Sequence, residues 1–211
     1  MLFRSEPEAE EATFRLRLRV RPESEIAVIP KDVLFLIDIS QSISSSELKR
    51  VRAAVCRYLA ELRPDDRWNV VVFSEEPRPL ETGAAFVPAD RFEAEEAKAF
   101  IRRRLGRQRR TDVFRAAQVI LSRIPRSNRP CNVFLISDGK ATQGTADVRW
   151  IVHDFKRVNR ENFSVFTFNG GPGGNLYLLS LLSYRSRGRL ENCPEVARIP
   201  EALGDLLATV D

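Results

Sequence analysis

The sequence predicts an α/β domain with a doubly wound, mostly parallel central sheet and helices on both faces. Three observations carry that reading. Val33-Leu34-Phe35-Leu36-Ile37 is apolar at every position, the pattern of a strand covered on both sides. Residues 133–136 form a second run of the same kind. Segments with apolar residues at helical spacing alternate with these runs, which is the chain order of βαβ units.

Taken in order, residues 1–12 are polar and Glu-rich and read as a lead outside the core. Phe14-Arg15-Leu16-Arg17-Leu18-Arg19-Val20 alternates with the period of a half-buried strand. Its arginines would face water and discourage edge pairing. Pro22 and Pro30 bracket a connector, so residues 1–30 are an N-terminal extension with one strand at 14–20, and residues 31–211 are the main domain. After the strand at 33–37, Ser44-Ser45-Ser46-Glu47 fits a capping box. Leu48, Val51, Val55, Tyr58, Leu59 and Leu62 follow at helical spacing, with Pro64 as the stop. A strand is expected at 68–73, then a turn-rich stretch, a short edge strand near 84–87 and a helix near 91–105. Thr111-Asp112 opens another helix, with Val113, Ala117, Ile120 and Ile124 on one face. The strand at 133–136 runs into Ser137-Asp138-Gly139. A helix at about 146–158, a strand at 163–168, a Gly-rich loop at 169–175 and a helix at 176–184 follow. An amphipathic helix at 196–210 closes the chain.

Composition narrows the function classes. A chain of 211 residues, 43% apolar and 30% charged, can bury one sizeable core without staples. The net charge of +5 is too modest to name a nucleic acid or a membrane as partner. Cys56, Cys131 and Cys193 are odd in number and far apart, which suits free thiols better than a disulfide framework. No apolar run nears the roughly 18 residues of a membrane span, and the acidic start is unlike a signal peptide. A soluble, reducing, cytoplasmic setting is the expectation, as is a chain cut from something longer at Asp211.

The chemistry gathers at the strand ends. Asp38-Ile39-Ser40-Gln41-Ser42 comes directly off the first apolar strand, in a loop that offers a carboxylate and two hydroxyls at spacing two. In such a sheet the carboxyl ends of the strands share one edge, where ligands bind. Asp138 follows the second strand, and Thr111 starts a helix, which begins at that edge too. Two carboxylates brought together repel unless a cation or a proton neutralises one. Oxygen-only groups suit a hard ion such as Mg2+.

Asp38-Ile39-Ser40-Gln41-Ser42, Thr111-Asp112 and Asp138-Gly139 occur in the order of the metal-ion-dependent adhesion site of von Willebrand factor type A domains. The chain resembles that family over about residues 31–211, and residues 168–181 resemble its Gly-rich loop and following helix. The resemblance implies a Rossmann-like fold with Ser40, Ser42 and Thr111 as direct ligands of Mg2+, or of Mn2+ or Ca2+. Asp38 and Asp138 would act wholly or partly through coordinated water. It also implies an open coordination position that takes a Glu or Asp carboxylate from another protein or domain, hence interaction and not catalysis. Two features depart from the pattern: Arg109-Arg110 stand where glycines are common, and Lys140 follows Asp138-Gly139. Such cations oppose a metal by repulsion and attract an acidic partner.

Plainer readings stand beside these. Asp38 can be a helix cap, Ser40 and Ser42 turn residues, and Thr111 an N-cap. The arginines from Arg102 to Arg110 form a solvated face, and without interleaved aromatics they are a poor base-stacking surface. His153, the single histidine, reads as a surface residue, since no G-x-S-x-G elbow is present for it to serve. The loop at 170–174 lacks the lysine of a P-loop and reads as a turn needing positive φ. Two rival functions remain: a metal-dependent phosphohydrolase with Asp38 as nucleophile or base, and a metal-free scaffold of the same fold.

Overall fold

The computed structural model describes residues 29–74, 76–80, 84–91, 93–103, 124, 127–140, 153 and 163–210. Its centre is the all-apolar run. Strand β1 (Asp32–Asp38) is buried at every position, because parallel neighbours flank it on both sides. It pairs with β2 (Arg67–Phe73) and β5 (Cys131–Ile136), with Ile37 opposite Val72 on one side and Ile136 on the other. β6 (Ser164–Gly170) and β7 (Leu190–Cys193) extend the sheet beyond β5, also in parallel.

The far edge is different. β3 (Arg78–Pro79) and β4 (Val87–Pro88) both pair antiparallel with β2. Each contains a proline, which has no N–H to continue a ladder and so ends the sheet. The strand order is β3-β2-β1-β5-β6-β7, with β4 also on β2. The chain leaves β1 toward β2 and later returns on the opposite side at β5. The gap between β1 and β5 is therefore the point where the winding reverses, and open α/β sheets bind ligands there.

Alternating residues of β1 serve two cores. Val33, Phe35 and Ile37 pack with α1 (Ser45–Ala60), α2 (Ala94–Arg103) and α4 (Ile199–Leu207) on one face. Leu34 and Leu36 pack with Leu178, Leu179 and Leu182 of α3 (Leu176–Arg185) on the other. Phe134 stacks between Phe35 and Phe166 at ring separations of 5.4 and 5.2 Å. This two-sided burial is what the continuous apolar runs predict, and the mostly parallel, doubly wound α/β fold follows from it.

The expected capping box is present. Ser44 Oγ accepts from the Glu47 N–H at 3.2 Å, and a Glu47 carboxylate oxygen accepts from the Ser44 N–H at 2.9 Å. Such a cap contributes about 1 kcal/mol and fixes the start of α1 just past the loop that carries Ser40 and Ser42. Three expectations shift. The edge strand near 84–87 is the two-residue β4. The closing helix is broken into a 3-10 turn (Val196–Arg198), α4 and a second 3-10 turn (Ala208–Val210). The Gly-rich stretch begins inside β6, which holds Asn169 and Gly170. The strand at 14–20, the helix opened by Thr111 and most of the helix at 146–158 lie outside the described residues. His153 is exposed.

The amino ends of the central strands are held by charge pairs. Asp32 accepts from Arg67 Nε at 2.8 Å and Nη2 at 2.6 Å, and from Arg129 Nε at 2.9 Å. Asp66 accepts from the Lys31 N–H at 2.9 Å and pairs with its ammonium at 3.2 Å.

Candidate functional site

Asp38 is not in a loop but is the last residue of β1, opposite Phe73, and only 1% exposed. The next residue sustains the register, since the Ile39 N–H reaches Phe73 O at 2.9 Å. The chain then turns so that the Ser40 N–H donates to Asp38 Oδ1 at 2.9 Å. Ser40 Oγ lies 3.0 Å from Ser42 Oγ. Ser40 is buried and Ser42 exposed, so the hydroxyl pair leads from the sheet edge out to solvent.

Asp138 stands at the neighbouring strand end, two residues past β5. It is 3% exposed. Its Oδ1 accepts from the Lys140 N–H at 3.0 Å. Its Oδ2 is buried without a hydrogen-bond partner among the described residues, and the Lys140 ammonium stands 3.6 Å away. A buried carboxylate oxygen with no donor is costly unless a cation faces it.

Ser137 joins the two carboxylate segments. Its Oγ donates to Asp38 Oδ2 at 2.7 Å and accepts from the Gly139 N–H at 3.0 Å. Its position after an apolar run is a signal in the sequence, but a serine there is also an ordinary turn residue. Asn175 closes the site from the Gly-rich side. Its N–H donates to Asp138 O at 2.7 Å, and its side chain caps α3 by accepting from the Leu178 N–H at 3.1 Å. Gly171 and Gly173 in that loop have φ of 106° and 79°.

Burial pushes the Asp38 carboxyl up to about 6, against the lowering pull of hydrogen bonds from Ser137 and Ser40, and the nearby Asp138 charge adds to the rise. The arrangement thus holds a carboxylate that ionises reluctantly beside a second one with an unused oxygen. Ser40, Ser42, Asp38 and Asp138 all belong to one sheet edge. Thr111, with Arg109 and Arg110, lies outside the described residues.

The donor set fits a hard divalent ion. Every candidate group is an oxygen, and Asp138 Oδ2 has a lone pair to give. Both Asp38 oxygens already accept hydrogen bonds, which suits contact through water more than direct ligation. Among the described residues no group of three or more His, Cys, Asp or Glu could hold a metal, so an ion here would depend on hydroxyls as well as carboxylates.

Fold and site together define an open α/β domain with an oxygen-lined loop site at its switch point. A profile of the von Willebrand factor type A domain matches residues 31–192, and the chain belongs to that family. It is 25% identical over 174 residues to inter-alpha-trypsin inhibitor heavy chain H1 of Bos taurus, covering 78% of this chain and 19% of the relative. It is 29% identical over 167 residues to heavy chain H2 of Mus musculus, covering 76% of this chain and 17% of that one. The chain thus spans less than a fifth of the length of these curated relatives. Among solved structures, a von Willebrand factor type A protein from Catenulispora acidiphila superposes with a TM-score of 0.72 at 20% identity, covering 86% of this chain and 43% of that one. Proximal thread matrix protein 1 from the mussel byssus, with a zinc-occupied adhesion-site motif, gives 0.66 at 17% identity, over 86% and 48% of the two chains. At these identities the structural likeness is one of fold.

Proposed function

We propose that this chain is a metal-dependent protein-interaction module. Ser40, Ser42 and Thr111 would hold a divalent ion, Mg2+ by preference, with Asp38 and Asp138 acting largely through water. When bound, the ion supplies a Lewis-acidic position for a Glu or Asp carboxylate of a partner protein. The supporting observation is Asp138 Oδ2, a buried oxygen without a hydrogen-bond donor, one strand away from the burdened Asp38 at the switch point. Family membership supports the class of function, since domains of this family mediate protein–protein interactions, some of them metal-dependent. The zinc in the byssus protein's motif supports a divalent ion without selecting Mg2+.

The chain's own groups would orient and bind, and on the strength of its family the module is read as non-catalytic. Residues 31–211 are proposed as the folding unit, with residues 1–30 as an extension. A cytoplasmic setting belongs to the same reading, supported by three free cysteines; among the described residues no helix is long and apolar enough to cross a membrane.

Calorimetric titration of the chain with MgCl2 and MnCl2 tests the reading, with Asp38→Ala and Thr111→Ala alongside. Saturable binding by the parent and its loss in both variants is the expected result. A parent that binds neither ion leaves the metal-free scaffold as the surviving alternative. Pull-down with and without EDTA then identifies the partner: an acidic protein captured only without EDTA is expected, and capture indifferent to EDTA contradicts metal mediation.

A further inference from the structure

Lys140 carries an inference that rests on this metal reading and deepens it. Gly139 has φ of 67°, a conformation open chiefly to glycine, and it folds the chain back on itself. As a result the Lys140 N–H binds Asp138 Oδ1 at 3.0 Å while the ammonium of the same residue sits 3.6 Å from Oδ2. The Gly-rich loop leaves room for it, since a Cβ on Gly173 would stand 3.9 Å from Lys140 Nζ. Asp138 is 4% exposed at its side chain and Lys140 51%, so the anion is enclosed while the cation has open solvent beside it. Among the described residues, the Lys140 ammonium is the cation paired with this oxygen.

We propose that Lys140 is a tethered competitor of the metal. Its ammonium contends for Asp138 Oδ2 with a divalent ion and the water that ion would hold, and only one of them can take that oxygen. The ammonium neutralises the buried carboxylate without metal and thereby raises the metal concentration needed to fill the site. On metal entry it swings into solvent, where its half-exposed stem already reaches. There it faces the acidic group that the open coordination position recruits. The site is thus set to a weak affinity by a residue that binds no metal itself.

The test is titration of the full chain with MgCl2 and with MnCl2 for the parent, Lys140→Met and Lys140→Arg. Removing both the ammonium's competition for Asp138 and its like-charge repulsion of a divalent ion should make Lys140→Met bind about tenfold more tightly. Lys140→Arg keeps the charge and should stay within about twofold of the parent. In EDTA, Lys140→Met should melt below the parent, because Asp138 loses its cation; at saturating MgCl2 that deficit should close. Equal affinity in parent and Lys140→Met, or weaker binding in the variant, overturns competition while leaving the metal site standing. If neither parent nor Lys140→Met binds an ion, the metal reading falls and competition falls with it. A parent that does not bind and a Lys140→Met that does is the strongest support.

Discussion

Replacing Asp38 by Asn should make the protein more stable, and the gain should depend on pH. Asp38 has an ordinary carboxyl value of 3.8, which burial first of all raises to about 6 in the folded chain. Between those values the folded protein keeps a proton that the unfolded chain has released. The free energy of unfolding therefore falls as pH rises through that window, and stays lower above it. A rise of this size corresponds to about 3 kcal/mol lost between pH 4 and pH 7. Asparagine resembles the neutral acid: it can accept from the Ser40 N–H and donate to Ser137 Oγ, keeping both contacts. Allowing about 1 kcal/mol for weaker hydrogen bonds, Asp38→Asn should exceed the parent by roughly 2 kcal/mol at pH 7.5 and match it near pH 4.

Urea unfolding in EDTA at pH 4, 5.5 and 7.5 measures this difference directly. Other groups titrate as well. Asp66 works in the opposite sense: burial alone would raise it, but hydrogen bonds from Lys31 and from the Arg63 N–H hold it below its usual value. Its stabilisation is present above the unfolded value and is lost as pH falls. Being common to both proteins, it cancels in the comparison. Addition of MgCl2 at pH 7.5 should then stabilise the parent by mass action and leave Asp38→Asn unchanged. A gap that is constant with pH, or an Asn variant less stable than the parent at pH 7.5, would refute the argument that an ionised Asp38 burdens the fold.

Two further outcomes follow from other parts of the molecule. Asp32→Ala removes a carboxylate that is 1% exposed and leaves Arg67 and Arg129 unpaired. Because those guanidiniums are about a third exposed and can rehydrate, the loss should sit near 3 kcal/mol, the low end for a broken buried pair; urea unfolding showing less than about 1 kcal/mol would contradict it. Arg187, just past α3, has φ of 60°, a left-handed conformation that costs a side chain about 1 kcal/mol, so Arg187→Gly should raise the unfolding free energy by about that much, and a lower melting temperature would count against the assignment.

What the sequence made legible was whatever one continuous signal encodes. β1, β2 and β5 lie within a residue or two of their expected bounds, because a strand buried on both faces needs an unbroken apolar run. The capping box of α1 was readable for a similar reason, since Ser44 and Glu47 act on each other's backbone at fixed spacing. β7 was missed: Leu190-Glu191-Asn192-Cys193 neither alternates nor runs apolar, and its place is set by pairing with β6. β3 is two residues long and defined only by β2. Pro200, near the start of α4, restarts a helix where periodicity alone predicted one unbroken element. That Asp38, Ser40, Ser42 and Asp138 share one sheet edge was readable because each stands at or just past a strand end. Ser137 was not, because nothing in a lone serine reveals that its hydroxyl will join two strand ends.

The two ends of β1 carry carboxylates whose burial is compensated in different ways. Asp32 and Asp38 terminate the same strand, and each is 1% exposed. At the amino end, Asp32 takes three charge-assisted hydrogen bonds from Arg67 and Arg129, so its burial is compensated within the fold. At the carboxyl end, the donors to Asp38 among the described residues are neutral, the Ser40 N–H and the Ser137 hydroxyl, while Asp138 adds a like charge beside it. Among the described residues, Asp138 in turn has one oxygen without a hydrogen bond and the half-exposed Lys140 ammonium 3.6 Å from it. A fold selected for stability alone would place an arginine there, as it does six residues earlier in the same strand. Among the described residues, the Lys140 ammonium is the cation that faces this edge, and it is half exposed, so it offsets the cost of two buried carboxylates less than the arginines offset that of Asp32. On the metal reading proposed above, affinity for the ion and the cost of the empty site are linked. A substitution that relieves the carboxylates, such as Asp38→Asn, should therefore stabilise the empty fold and remove its response to MgCl2 together.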